Sequence, residues 1–138
     1  MADIIKNENF TADVLLNLLS ETTDDYLYMW DIRNGTFYIS GNAYDDLDIS
    51  RLIGQDVVTV WSKIMVREDL ELWLSDIQMI QEGSKDYHDM EYRGYNKSGR
   101  VIWVSCRGTV KKDRQGRPLF MIGRISNIGK QNKFDNVT

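Results

Sequence analysis

An alternation constrains this chain more than anything else in it. From Arg100 to Val110 the residues divide by period two. Ile102, Val104, Cys106, Gly108 and Val110 form a small apolar set; Val101, Trp103, Ser105, Arg107 and Thr109 form a mixed one. Sides this different belong to a strand with one face buried and the other partly wet. It is bracketed by Asn96-Lys97-Ser98-Gly99 and Asp113-Arg114-Gln115-Gly116, turn signals that each end in a glycine tolerant of positive φ. Residues 86–128 therefore predict a three-stranded meander, and the rest of the chain has to cover its apolar side.

The upstream text supplies the cover. Thr11 can cap a short helix over 11–20, with Asp13 in its first turn and Val14, Leu15, Leu18 and Leu19 on one stripe. Tyr26 to Arg33 and Thr36 to Ser40 read as strands around Asn34-Gly35, the strongest hairpin signal present. Short helical turns follow over 41–60, broken at Gly54, with Leu47, Leu52, Ile53 and Val57 inward. Trp61, Ile64 and Met65 form an apolar cluster. Arg67 to Gln81 is the longest helix, its start marked by Glu68, Asp69 and Glu71, its buried stripe Leu70, Trp73, Leu74, Ile77 and Ile80, its end Gly83. Strand groups flanking a helical middle argue for an α+β fold: one five-stranded antiparallel sheet, helices on one face, an N-terminal amphipathic helix.

At 138 residues the chain makes one domain with a real core. Its net charge of -4 and lack of a basic stripe argue against nucleic acid as a partner. No run approaches the about 20 apolar residues of a spanning helix, so no membrane contact is expected within the chain. One cysteine cannot form an internal disulfide and suits a reducing cytoplasm; with one histidine beside it, no zinc site of ordinary composition is expected. Asp24-Asp25 and Asp45-Asp46 are sequence neighbours that point apart, not an acid/base pair. Neither a nucleophile–base pair nor a phosphate-cradling loop is visible, so no catalytic residues are assigned.

Glu91-Tyr92-Arg93, Lys97-Ser98-Gly99, Trp103-Val104, Asp113 with Gly116 and Pro118, Gly123 and the closing Ile125-Ser126-Asn127-Ile128 together resemble the PAS domain family of bacterial signalling proteins. Arg67-Glu68-Asp69 also fits a PAS helix start, although the family often has His-Pro where this chain has Val66-Arg67. The resemblance covers 22–129, leaving 1–21 as tail and packing or dimerisation helix. Residues 130–138 are similar to the connector into a GGDEF (diguanylate cyclase) domain, which commonly opens Asp-x-x-Thr-Gly-Leu; Asp135 and Thr138 match its first part. The resemblance implies a cytoplasmic sensor module that dimerises and relays a signal to a C-terminal output domain in cis, one that would make cyclic di-GMP. A ligand-free structural dimerisation module, or less readily a small α+β enzyme, is the alternative.

Register places Met90, Tyr92, Gly94, Val104, Cys106, Gly108, Met121, Gly123 and Ile125 on the inward face of the meander. Tyr28 and Trp30 join from the first strand, Trp61 and Met65 from the helical side. In PAS relatives the corresponding surface lines a ligand pocket, so Tyr28, Trp30, Trp61, Met65, Met90, Tyr92, Val104, Cys106, Met121, Gly123 and Ile125 are the pocket candidates. The same groups can instead fill the core. No cofactor is expected, and a small ligand is left open. Flavin-binding light sensors of this fold carry Asn-Cys after a glycine, where this chain reads Gly54-Gln55-Asp56-Val57. Haem-binding members use a histidine on the long helix, which has none; His88, at a strand start, is expected to be exposed or hydrogen-bonded. On the outer face Trp103, Phe120 and Ile122 lie among Glu91, Arg93, Arg107 and Arg124. With Val14, Leu15, Leu18 and Leu19 they are the candidates for a homodimer interface, or for an intramolecular cap.

Overall fold

The computed structural model describes residues 11–49 and 56–129. Among the described residues nine elements follow in order: α1 (Ala12–Ser20), β1 (Tyr26–Asp31), β2 (Thr36–Ile39), α2 (Asn42–Asp46), α3 (Val57–Ser62), α4 (Arg67–Gln81), β3 (Tyr87–Tyr95), β4 (Val101–Lys112) and β5 (Pro118–Asn127). The strands form one antiparallel sheet in the order β2-β1-β5-β4-β3. The expected α+β architecture is present, and the β1–β5 pairing joins the two strand groups.

Both turns of the meander close as their sequences require, with Gly99 at φ 77° and Gly116 at φ 80°. Asp113 Oδ1 accepts the backbone N–H groups of Gln115 and Arg117, each at 2.9 Å. Between the turns, Val104 and Cys106 are buried while Trp103 is 48% exposed. The period-two reading of β4 therefore holds. The helical layer covers the small apolar side.

Some expectations shift. The first hairpin is shorter at both strand ends, because Ile32 and Arg33 turn away to donate to the Leu119 carbonyl at 3.0 and 3.3 Å. Leu74 is exposed: Trp73, Ile77 and Ile80 carry the buried stripe, and Leu74, one residue and about 100° round from Trp73, falls off it. Leu47 and Val57 are buried as expected, whereas Leu52, Ile53 and Gly54 lie outside the described residues. Thr11 stands at the N-cap of α1 without its hydroxyl on a helix N–H.

Two features hold the helical layer to the sheet. Ile64 to Val66 runs along the free edge of β3: Tyr95 N–H donates to the Ile64 carbonyl at 2.8 Å and Val66 N–H to the Arg93 carbonyl at 3.0 Å. This covers part of an edge that would otherwise be open to another strand. At the start of α4, the Asp69 carboxylate accepts the Arg93 backbone N–H at 2.8 Å and the guanidinium Nε and Nη2 at 2.9 Å each. The acidic first turn is thus also a clamp on β3.

At the opposite edge, buried Ser40 accepts the Leu27 backbone N–H at 2.9 Å and donates to Asn42 Oδ1 at 2.5 Å. Asn42 Nδ2 in turn donates to the Asp25 carbonyl at 2.9 Å. Ser40→Ala removes the centre of this chain and leaves the Leu27 N–H without its acceptor. It should cost about 1–3 kcal/mol, read as a lower urea midpoint at unchanged slope.

Candidate functional site

A row of residues crosses the middle of the sheet. Tyr28 on β1 faces Gly123 on β5, Gly123 faces Gly108 on β4, and Gly108 faces His88 on β3. The two glycines leave a trough, and the Tyr28 hydroxyl occupies it. A Cβ added at Gly108 would stand 2.4 Å from that oxygen, and one at Gly123 2.7 Å from it. Tyr28 can therefore lie across three strands and reach Cys106, whose Sγ–H donates to its hydroxyl at 3.3 Å. The Tyr92 hydroxyl is on the same sulfur.

Aromatic rings continue from there into the helical layer. Tyr28 stacks on Phe37 with centroids 5.8 Å apart, Phe37 meets Trp61 edge-on at 5.9 Å, and Trp61 meets Tyr92 edge-on at 6.4 Å. These groups enclose a cavity of about 10 Å³. That is room for one water and no more. Of the pocket candidates, Tyr28, Trp30, Trp61, Tyr92, Cys106, Met121 and Ile125 line it. Met65 and Val104 are buried in the same core without lining it, Met90 is half-buried, and Gly123 forms the trough floor.

Sequence reasoning missed five lining residues: Phe37, Val57, Trp73, Ile77 and His88. The two α4 residues were legible as a buried stripe but not as cavity wall. His88 is the consequential one. It is 1% exposed, and of its two expected settings the structure shows the hydrogen-bonded one. Its Nδ1 bonds Asp76 Oδ2 of α4 at 2.5 Å, and Lys85 bonds the other carboxylate oxygen. No group among the described residues bonds His88 Nε2 or the Trp30 indole N–H, and both atoms are buried.

Burial sets the charge states here. It lowers the His88 pKa, with Asp76 opposing. It would raise the Asp76 carboxyl, but the Lys85 ammonium and the His88 ring hold it below the usual carboxylate range. It pushes the Cys106 thiol up to about 12 and the Tyr28 and Tyr92 phenols well above their ordinary value. Three groups of the kinds that do chemistry, His88, Tyr92 and Cys106, do meet around one cavity. Each is held neutral, whereas nucleophilic catalysis requires a thiolate or an activated hydroxyl. Among the described residues no set of three or more His, Cys, Asp or Glu side chains is grouped as a metal site.

The outer face of the sheet holds a second site. α1 packs beside β1 and β2, tied by the Gly41 N–H on Asn17 Oδ1 at 2.6 Å, and none of its residues is fully buried. Between it and the sheet runs an open, apolar groove of about 890 Å³, with Leu15 and Leu19 on one side and Phe120 and Ile122 on the other. Val14 and Leu18 are exposed on the same helix. Trp103 is not part of this groove. It lies toward the other end of β4, about 20 Å along the strand from Thr109, with the Arg93 guanidinium 5.4 Å from its ring. The seven interface candidates therefore form two separate patches. No helix among the described residues is long and apolar enough to cross a membrane.

Comparison with known proteins agrees with this geometry. A 70-residue segment, 51% of this chain, is 29% identical to a probable diguanylate cyclase, DgcE, of Escherichia coli (strain K12), and spans 6% of that protein's length. Among solved structures, the N-terminal domain of a diguanylate cyclase with PAS/PAC sensor from Marinobacter aquaeolei superposes with a TM-score of 0.63 at 22% identity, covering 75% of this chain and 94% of that one. The PAS domain of the RpfR quorum-sensing receptor from Cronobacter turicensis, in complex with C12:0, superposes with a TM-score of 0.56 at 14% identity over 75% of this chain and 93% of that one. Residues 37–125, from the second strand to the closing one, match the PAS fold as a family, and the chain belongs to that family.

Proposed function

We propose that this PAS domain is a sensory and dimerisation module whose output is a C-terminal diguanylate cyclase domain in the same polypeptide. The observation that carries the reading is the apolar groove between α1 and the sheet. Leu15, Leu18 and Leu19, 39–56% exposed along a nine-residue helix, are a poor end state for a monomer. A second copy that brings its own α1 and sheet face would cover them by two-fold symmetry. The named output rests on the two cyclase relatives and on Asp135 and Thr138, which lie outside the described residues. Signal then passes as a shift between two subunit arrangements, read by whatever follows residue 129.

This reading assigns the domain no catalysis of its own and no flavin or haem. The lone thiol is buried against two tyrosine hydroxyls, and the lone histidine has Nδ1 committed to Asp76. A cytoplasmic position suits the single reduced cysteine. A ligand-free dimerisation module is the second reading, favoured by the near-filled cavity.

The test is oligomeric state with a matched pair of substitutions. Wild type should sediment as a dimer. Leu19→Glu and Ile122→Glu, which place a charge in the groove without touching the core, should each weaken dimerisation at least tenfold with the urea midpoint of the monomer unchanged. A wild-type monomer at high micromolar concentration sinks the dimer proposal. Fusion of residues 1–138 to a diguanylate cyclase catalytic domain then tests the relay, since Leu19→Glu should change the rate of cyclic di-GMP formation.

A further inference from the structure

The outer face carries a charge pattern that exposed leucines alone leave unexplained. Arg107 on β4 and Arg124 on β5 are direct cross-strand partners, and both are exposed. Like charges so placed repel. Asp89, opposite Arg107 on β3, stands 3.5 Å from its Nε in an exposed pair that is worth little. Arg124 makes no ion pair among the described residues. Two guanidiniums side by side suit one carboxylate, and both arginines border the apolar groove beside α1.

The carboxylate that fits is on α1. From Thr11 to Asp25 the chain holds four acids, Asp13, Glu21, Asp24 and Asp25, and no lysine or arginine. Asp13 is in the first turn, where the helix dipole favours it and the Thr11 hydroxyl bonds it. Glu21 is the reverse case. It stands exposed at the C-cap, where the dipole opposes a negative charge, and it makes no ion pair among the described residues.

The fold sets the level of Glu21 against the sheet. Asn17 of α1 accepts the Gly41 N–H, and Ser40 beside it donates its N–H to the Leu27 carbonyl of β1. Leu27 faces Arg124, and Arg124 faces Arg107. The C-terminal half of α1 therefore lies level with the row that holds the two arginines. A two-fold axis along the strands keeps a partner's α1 at that level, with its Glu21 toward the arginines. An axis across the strands would bring Asp13 there instead.

From this arrangement we infer that the outer face receives a second copy of this chain in parallel orientation, with the partner's Glu21 seated between Arg107 and Arg124. The inference rests on the dimer reading above and fixes its orientation by charge complementarity. A parallel pair also sends both β5 ends, after which the proposed output domain follows, to one end of the dimer.

Sedimentation equilibrium of the chain at about 50 mM salt, where surface pairs are weakly screened, tests it. Glu21→Lys and Arg124→Glu should each weaken the dimer roughly tenfold, and the swap carrying both should regain most of that loss. Asp13→Asn should leave the dimer within about twofold of wild type. A lysine suits a helix C-terminus, so Glu21→Lys should not lower the urea midpoint of the monomer; a damaged helix would. Single variants with the wild-type constant, a swap no better than either single, or a larger loss from Asp13→Asn than from Glu21→Lys each overturn the pairing while the dimer stands. A wild-type monomer at high micromolar concentration overturns the dimer itself, so the two failures are told apart.

Discussion

Gly123→Ala should cost this domain about 4 kcal/mol or more, a loss in the range reserved for a small set of severe mechanisms. The added Cβ would stand 2.0 Å from the Arg107 carbonyl oxygen and 2.7 Å from the Gly108 Cα, both backbone of the neighbouring strand β4. Backbone in the middle of a five-stranded sheet cannot yield without breaking the β4–β5 ladder. Gly108→Ala makes the contrast. Its Cβ would meet side chains only, the Tyr28 hydroxyl at 2.4 Å and Met121 at 3.0 and 3.2 Å, so it should cost about 1–3 kcal/mol. Tyr28→Phe removes the oxygen in the way. The double variant Tyr28→Phe, Gly108→Ala should therefore recover about 1 kcal/mol relative to additivity, whereas Tyr28→Phe should not rescue Gly123→Ala. Urea unfolding of wild type and the five variants checks this. A Gly123→Ala variant within 1 kcal/mol of wild type would show that the trough is not what lets Tyr28 cross the sheet.

The second large effect is acid instability that begins at His88. In the unfolded chain His88 takes up its proton near its ordinary value of 6.5, while in the folded domain burial holds it neutral to lower pH. The unfolded state therefore binds more protons as the pH falls below that value. Stability is complete above it and declines below it, by up to about 1.4 kcal/mol per pH unit, until the folded imidazole also protonates. Asp76 acts lower. Its carboxyl is held below the ordinary 3.8, so its contribution is present above that value and is lost as the pH falls through the folded pKa. Lys85 acts at the other end: its raised pKa contributes stability below the ordinary 10.5 that is lost as the pH rises through the folded value. Because the chain has one histidine, the slope of urea stability between about pH 5 and 6.5 belongs chiefly to His88. His88→Phe should flatten it. An equal slope in that variant would assign the acid sensitivity elsewhere.

Both predictions concern residues that the sequence marks only faintly. Gly108 and Gly123 read as small inward positions, and nothing in the text says that they face each other or that a tyrosine from β1 lies over both. That depends on a β1–β5 pairing that joins residues about a hundred positions apart in the chain. His88 is the sharper case. Its flanks, Tyr87 and Asp89, are exposed, and a lone histidine at a strand start gives no local sign of burial. Its partner comes from α4, twelve residues earlier, in a different element. An alternation test extended along β3 could have found it, since His88, Tyr92 and Gly94 share the buried parity. The outer-face candidates divide into two patches for a different reason. Trp103 and Ile122 are both exposed apolar groups on the same side of the sheet, but period-two patterning records only the side and not the position along it.

What the chain's text determined alone was local: the two faces of β4, the turns at Gly99 and Gly116, the buried stripe of α4, and from these a PAS-like α+β architecture. Such features follow from backbone geometry within a few residues, where side-chain period and allowed φ leave little choice. Only the tertiary structure decided that the core closes around a small cavity with His88 in its wall, and that α1 leaves a groove open on the outer face. Those outcomes depend on how side chains from separate elements share one volume, and that sharing is a property of the packed sheet and helices together.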